Sequence, residues 1–484
     1  MGNEKRMRSI LAADLGASSL RVALIDETGR LHALLSRPLE TVSPAPDQRE
    51  QDPRQWWHLF TELTAALLKD SPKVPAAIVI TGGTRSQVLV DKQGEPLRPA
   101  IMWDDSRAVQ QAGRLAATFN QDGNLITAFH PAARLAWLAE HEASALASVG
   151  AVLQPKDFII HRLTGERCSD NVSNWMLLDE HGHYRESLIL ATGFAQDRLP
   201  RLAEPEQQIG RVMRQTDLPA SLAGIPVFCG SMDTWCCALA LGAYQAGASY
   251  AVSGTSEVIG VIHGQRLLAK GLLTLPWGKN QGEALWHVGG PSQCGGRTVS
   301  WARSILGLNE GELDELIQPA PLTASAPLFI PYLDGERTPH WNPDLRGSWH
   351  DLHMAHHSTD LLRAVIEGIA FHSRTILTAA HAGDEPATPL VIGGGLARSD
   401  RWCQLRADIL QRPVTRTTAE EPGLHGAAML AMTGLGWYIS LDEARRQLAA
   451  TATTFEPATA DADLIDERYQ RFCRYLAWQQ QAAV

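Results

Sequence analysis

The sequence predicts an α/β protein made of two similar domains, and three observations carry that prediction. The chain has 484 residues, more than one hydrophobic core usually supports. Apolar runs of strand length alternate with stretches of helical periodicity along it. One local plan, a strand, a Gly/Ser/Thr turn and a second strand, occurs at residues 9–25 and again at residues 248–262. These place a boundary near residue 245 and give domains 1–245 and 246–484, with a ligand expected in the cleft between them.

Each element has a local reason. Ser9 to Ala13 and Leu20 to Ile25 are rich in Ile, Val, Leu and Ala and read as strands around the turn Gly16-Ala17-Ser18-Ser19. The turn Glu27-Thr28-Gly29-Arg30 leads to a third strand near Leu31 to Leu35, which completes an antiparallel meander. A helix follows: Asp52 can cap it, Pro53 suits its first turn, and Trp56, Phe60, Leu63 and Leu67 recur at helical spacing. Ala76 to Ile80 is a buried strand ending in Thr81-Gly82-Gly83. A further strand ends in Phe228-Cys229-Gly230, and Asp233 opens a helix of small residues. In the second half, Ala248 to Ser253 and Val258 to Ile262 flank the turn Gly254-Thr255-Ser256-Glu257. Pro389 to Ile392 is a short strand running into Gly393-Gly394-Gly395, and Trp402, Leu405 and Ile409 mark one face of the next helix.

Composition narrows the function. The chain is 44% apolar and 20% charged, with a net charge of −10, so no basic face for nucleic acid or an acidic membrane is expected. Seven scattered cysteines without CxxC or zinc-like spacing read as reduced thiols, and no apolar run approaches a membrane span. The first apolar run is broken by Asp14 too early for a secretory signal. A cytoplasmic protein is expected.

Two turns rich in N–H and hydroxyl donors, one per half, suit the phosphates of a nucleotide, although such turns are often no more than turns. Several nucleotide motifs are missing. No GxxxxGK[ST] occurs, Gly393 to Gly395 continues as Leu-Ala-Arg rather than as GxGxxG, and the protein-kinase HRD and DFG signatures are absent.

The segments that remain resemble the FGGY family of carbohydrate kinases, within the sugar kinase, Hsp70 and actin superfamily. They are DLGASSLRVALID at 14–26, EQDPRQWW at 50–57, RPAIMWDDSRA at 98–108 and LQPKDFIIHRLTGE at 153–166. GSMDTWCCALALGA at 230–243, SGTSEV at 253–258, PYLDGERTPHWNPDLRGSW at 331–349 and GGGLARSDRWCQLRADIL at 393–410 continue the match over nearly the whole chain. The GERTPH segment is most similar to the xylulokinase branch. The resemblance implies two ribonuclease H-like domains with the active site in the interdomain cleft. It also implies ATP and Mg²⁺ as cofactors and phosphorylation of a terminal hydroxyl of a small sugar, a ketopentose first. A sugar acid, a tetrose or a polyol is the alternative substrate, and a catalytically silent sugar-binding regulator the alternative of another class. A homodimer is the assembly to test.

The same resemblance assigns roles. Asp14, Gly16, Ser18 and Ser19 match the first phosphate motif, and Gly254 and Thr255 the second. Gly394 and Arg398 match the adenosine motif, while Gly296 and Ser300 fall on the adenine side. Asp233 falls at the catalytic base, Thr84 and Arg85 at sugar-contacting positions, and Trp103, Asp104 and Asp105 in the second sugar-side segment. Asp14 and Asp233 are the implied metal ligands. An acid beside a phosphate turn is reasonable if it serves Mg²⁺. Asp233 as a base must stay ionised and accept a proton; its plainer role is a helix cap. Xylulokinases commonly carry Met-His where this chain has Thr84-Arg85. A guanidinium there suits a carboxylate, or it pairs with Asp104 or Asp105 and only shapes the pocket. Arg21 reads as a solvated charge. His353, His356 and His357 read as a polar approach to a helix rather than a metal site, and Cys236, Cys237, Trp56 and Trp57 as packing residues.

Overall fold

The computed structural model describes residues 8–69, 74–120, 124–143, 147–280, 282–308, 311, 313–317, 323–381, 388–417, 420–448 and 451–482. The chain divides into two compact units. One holds Met1–Ala240 with Glu421–Ala449, the other Leu241–Glu420 with Ala450–Val484. By internal contacts the segment Glu421–Ala449 groups with the first unit, and the main division falls between Ala240 and Leu241. The helix Pro422–Gly434 leaves the second half and packs on the first strands of the first unit, burying an almost wholly apolar face there. That return is invisible in a repeat of strands.

The first unit is organised by a six-stranded sheet of β1 Ser9–Leu15, β2 Ser19–Asp26, β3 Leu31–Pro38, β4 Ala77–Gly82, β5 Gln208–Arg211 and β6 Pro226–Phe228. The order is β5-β6-β4-β1-β2-β3. β1, β2 and β3 form the expected antiparallel meander, while β1, β4 and β6 run parallel. β1 is buried from Ile10 to Leu15, as a strand covered on both faces must be, whereas the edge strand β3 alternates between half-buried and exposed. The helix Pro53–Lys69 buries Trp56, Trp57, Phe60, Leu63 and Leu67 against this sheet, and the Asp52 carboxylate accepts the Arg54 N–H at 3.0 Å. A second apolar core, formed largely by the helices Val109–Phe119, Pro131–His141 and Glu186–Ala191, completes the unit.

The second unit repeats the plan. Its seven-stranded sheet contains β7 Ser249–Ser253, β8 Glu257–His263, β9 Leu273–Asn280, β10 Glu283–Ser292, β11 Leu390–Gly393, β12 Val414–Thr417 and β13 Ala452–Phe455. The order is β9-β10-β8-β7-β11-β12-β13. Again an antiparallel meander precedes parallel strands, here β7, β11 and β12. The buried face of the helix Ser358–His381 fills the core beneath.

Candidate functional site

In the first unit, the predicted residues gather at the carboxyl ends of the parallel strands, where open α/β sheets bind ligands. Asp14 is the penultimate residue of β1 and lies in register with Thr81 of β4. Thr84 and Arg85 follow the end of β4, and Asp233 follows β6 at the first position of the helix Asp233–Leu241. The route from β6 to Asp233 is tightly fixed. Gly230 has φ +64°, and a Cβ there would sit 1.9 Å from the Ile80 carbonyl oxygen, so only glycine fits. The Thr81 hydroxyl donates to the Ser231 carbonyl at 2.8 Å, and Met232 bridges to Gly82.

Beneath this loop lies a buried charge network that the sequence quotes but does not explain. Lys156 Nζ sits 2.7 Å from Asp157 and 3.0 Å from Asp170, all three side chains fully buried. The Ser231 hydroxyl donates to Asp170 at 2.7 Å, two residues before Asp233. Burial opposes the Lys156 charge, but the two carboxylates outweigh it and hold its pKa well above the ordinary value.

Asp14 is buried. One of its oxygens is ion-paired with Arg21, and Oδ1 accepts no hydrogen bond. Arg21 also pairs with Glu421 at 2.6 Å, so it is a structural bridge rather than a solvated charge. The packing that brings Pro422–Gly434 back to this unit carries Glu421 with it. Burial pushes the Asp14 carboxyl up to about 7; Arg21 opposes the rise, and the Asp233 and Glu421 charges add to it. Gly16 N–H donates to the Ser19 carbonyl at 3.1 Å to close the hairpin turn, leaving Ser18 exposed and Ser19 half-buried. Asp233 is half-buried. Its Oδ1 accepts the Thr234 N–H at 2.6 Å and the Thr234 hydroxyl at 3.2 Å, and among the described residues its other oxygen accepts no hydrogen bond while it begins the helix.

Arg85 adopts φ +65°. Its N–H donates to Gln154 Oε1 at 2.9 Å, and its carbonyl accepts from Gln87 at 2.6 Å and from Arg134. The fully buried Arg134 also donates to the carbonyls of Trp103 and Asp105, at 3.1 Å each, and to Gln87 Oε1 at 2.7 Å. It thereby ties the two sugar-side segments together. The Arg85 guanidinium lies 5.4 Å from the Trp103 ring. Asp105 is engaged by Arg107 at 2.7 Å, and Asp104 is exposed; among the described residues neither forms an ion pair with Arg85. Gln154, Arg134 and Glu421 are the supporting residues that sequence reasoning missed.

In the second unit, Gly254, Thr255, Gly296, Ser300 and Arg398 line one cavity of about 750 Å³, together with Arg297, Asp314 and Ser399. The turn between β7 and β8 is fastened to the helix Gly296–Ile305 by Gly296 N–H to the Gly254 carbonyl, 2.9 Å, and Arg297 N–H to the Thr255 carbonyl, 3.0 Å. Gly394 does not line the cavity; its neighbour Gly395 does. Gly394 has φ +95°, with its missing Cβ 2.3 Å from the Ser253 carbonyl oxygen, so it lets the chain pass close to β7. His353 and His356 lie before the helix Ser358–His381, where His353 N–H donates to His356 Nδ1 at 3.0 Å. No helix among the described residues is long and apolar enough to cross a membrane.

The N-terminal domain model of the FGGY family of carbohydrate kinases matches residues 9–240, and the C-terminal domain model of the same family matches residues 249–435. The chain is 32% identical to the xylulose kinase of Escherichia coli (strain K12), over 90% of this chain and 92% of that protein. It is 28% identical to the L-xylulose/3-keto-L-gulonate kinase of the same organism, over 96% of this chain and 96% of that protein. Among solved structures, a xyloylose kinase from Brucella ovis superposes with a TM-score of 0.88 at 28% identity, covering 98% of this chain and 100% of that one.

Proposed function

Because this chain belongs to the FGGY family of carbohydrate kinases, we propose that it transfers the γ-phosphoryl group of ATP to a terminal hydroxyl of a ketopentose-like sugar. The observation that carries this reading is the 750 Å³ cavity whose wall contains five of the six residues matched to nucleotide motifs in the second unit. The volume and the backbone-rich lining suit a nucleoside triphosphate.

Asp233 is the base. Its open carboxylate oxygen stands at the end of β6, where a sugar hydroxyl can reach it, and the Ser231–Asp170–Lys156 network fixes the loop that presents it. Thr84, Arg85 and Trp103 form the sugar side, braced by Arg134. The turn 16–19 offers N–H and hydroxyl donors to phosphate. The residues fit a divalent cation at Asp14: an oxygen buried without a hydrogen-bond donor among the described residues, on a carboxyl whose proton is favoured first by burial and then by Asp233 and Glu421, gains from a nearby positive charge. Bound there, Mg²⁺ supplies charge neutralisation to phosphate oxygens.

The experiment is ADP release from ATP and Mg²⁺ across a panel of ketoses, alditols and aldonates. One or more panel members should raise ADP release far above the rate with water alone. A rate equal to the water background for every member overturns the kinase reading and leaves a sugar-binding regulator.

A further inference from the structure

We propose that the sugar pocket of this chain is built for a substrate carrying a carboxylate, with Arg85 as the residue that recognises it. The inference rests on the phosphoryl transfer proposed above and takes the sugar-acid alternative in place of the ketopentose as the substrate class of the same site.

Three observations support it. The first is how this protein treats its other interior cations. Arg107, Lys156, Arg406 and Arg468 are all buried, and each is paired with a carboxylate at 2.7 Å. Arg134 and Arg412 have no such partner; Arg134 spends its donors on three carbonyls and the Gln87 amide oxygen, and Arg412 on Ser249, the Thr388 carbonyl and His381. Arg85 differs from all of them: it is only half-buried, at the mouth of the site. Among the described residues its guanidinium makes no hydrogen bond and no ion pair, and it faces the Trp103 ring instead. Its planar fork of five N–H donors is left to solvent or to a ligand in the site.

The second observation is the backbone. Arginine at φ +65° is strained, and here the strain is held from both sides, by Gln154 on the N–H and by Arg134 and Gln87 on the carbonyl. The third is location and charge. Arg85 follows the end of β4, near enough to feel the charge of Asp233, the proposed base. Burial weakens its hold on its proton, and Asp233 and Asp104 offset that only in part, while the neighbouring Arg134 repels it. A carboxylate on the substrate supplies the missing charge and accepts two parallel hydrogen bonds from the fork. A neutral ketose offers hydroxyls, which match neither its charge nor its planarity. The substrate class is therefore an aldonate or ketoaldonate whose carboxylate lies at Arg85 and whose far hydroxyl lies at Asp233.

The test has two arms on the full-length protein, wild type, Arg85→Met and Arg85→Lys, each checked by thermal melting. In the first, calorimetry without nucleotide measures binding of D-xylonate, D-gluconate and D-xylulose. At least one acid should bind wild type more tightly than D-xylulose, and Arg85→Met should weaken that acid by tenfold or more, with partial retention in Arg85→Lys. In the second, the ratio of kcat/KM for the best acid to that for D-xylulose should fall at least tenfold in Arg85→Met, mainly through KM. Tighter binding of D-xylulose than of either acid overturns the proposal. So does an unchanged acid-to-ketose ratio in the variants. Should Arg85→Met fail to melt cooperatively, Arg85→Lys decides: it keeps the charge without the fork and must still lose part of the acid preference. Arg85-dependent acid binding with no turnover of any sugar overturns the kinase reading and supports this one.

Discussion

Replacing Asp14 by asparagine should change how the stability of the protein depends on pH. The wild-type carboxyl is pushed from its ordinary 3.8 to about 7, first by burial, with Arg21 opposing and Asp233 and Glu421 adding. The folded state therefore binds the Asp14 proton more tightly than the unfolded chain does. Between about pH 4 and pH 7 the folded state holds more protons, so stability falls as pH rises through that window and levels off above it. The full shift of about 3 units is worth about 4 kcal/mol. Integrated over pH 5 to pH 8 alone, the loss is roughly 2.5 kcal/mol. Asparagine resembles the protonated carboxyl in shape and does not titrate, so the variant lacks this term. The assay is urea denaturation of both proteins in EDTA at pH 5, 6.5 and 8, followed by intrinsic tryptophan fluorescence, to which Trp56, Trp57 and Trp235, buried in the same unit as Asp14, contribute. Wild type should lose roughly 2.5 kcal/mol relative to the variant from pH 5 to pH 8. A difference constant within about 0.5 kcal/mol, the usual scatter between independent sites, refutes the assignment of a raised pKa to Asp14, as does a slope of opposite sign.

Asp233→Asn should lower kcat by about 10²–10⁴ with substrate affinities kept, and added Mg²⁺ should restore none of it in a steady-state titration. Gly254→Val should raise the ATP KM by at least about tenfold in a protein that still melts normally, because a Cβ there meets nothing nearer than the Ser256 carbonyl oxygen at 3.8 Å yet takes space in the cavity. Lys156→Met should destabilise the protein by about 3–5 kcal/mol in denaturant titration, since it leaves Asp157 and Asp170 buried without their cation.

How far the sequence could be read depends on the range of the information. The meander and the first helix are local. Alternation and apolar runs give β1, β2 and β3, and Asp52, Pro53 and the spacing of Trp56, Phe60, Leu63 and Leu67 give the helix with its start. Of the residues lining the cavity of the second unit, Gly254 and Thr255 stood in a turn with its own small-residue signature, whereas Gly296, Ser300 and Arg398 came only from the family resemblance. Residues whose role is set by a partner far along the chain were not. Glu421 lies 400 positions from Arg21, and nothing in its neighbourhood marks it as part of the Asp14 site. Gln154 supports an amide 69 positions earlier, and Arg134 a carbonyl 49 positions earlier. Lys156 stood in a quoted motif, but a lysine in sequence reads as surface charge until its burial is known.

The same distinction bears on Asp14 and Asp233, which look alike as letters and differ in surroundings. Asp233 is half-buried, begins a helix and, among the described residues, accepts hydrogen bonds on one oxygen only, which is the geometry the proposed base requires. Asp14 is buried on a central strand, its proton favoured by burial and by two nearby acids, and Arg21 only partly offsets them. A group in that position makes a poor base for a sugar, because its ionised form is the costly one until positive charge arrives. It makes a good ligand, since a divalent cation relieves burial, the Asp233 charge and the Glu421 charge together. On the proposed reading, environments that differ in this way suit Asp233 to the base and Asp14 to the metal, although the family resemblance implied both as metal ligands. That division follows from where each strand ends rather than from any feature of the residues themselves.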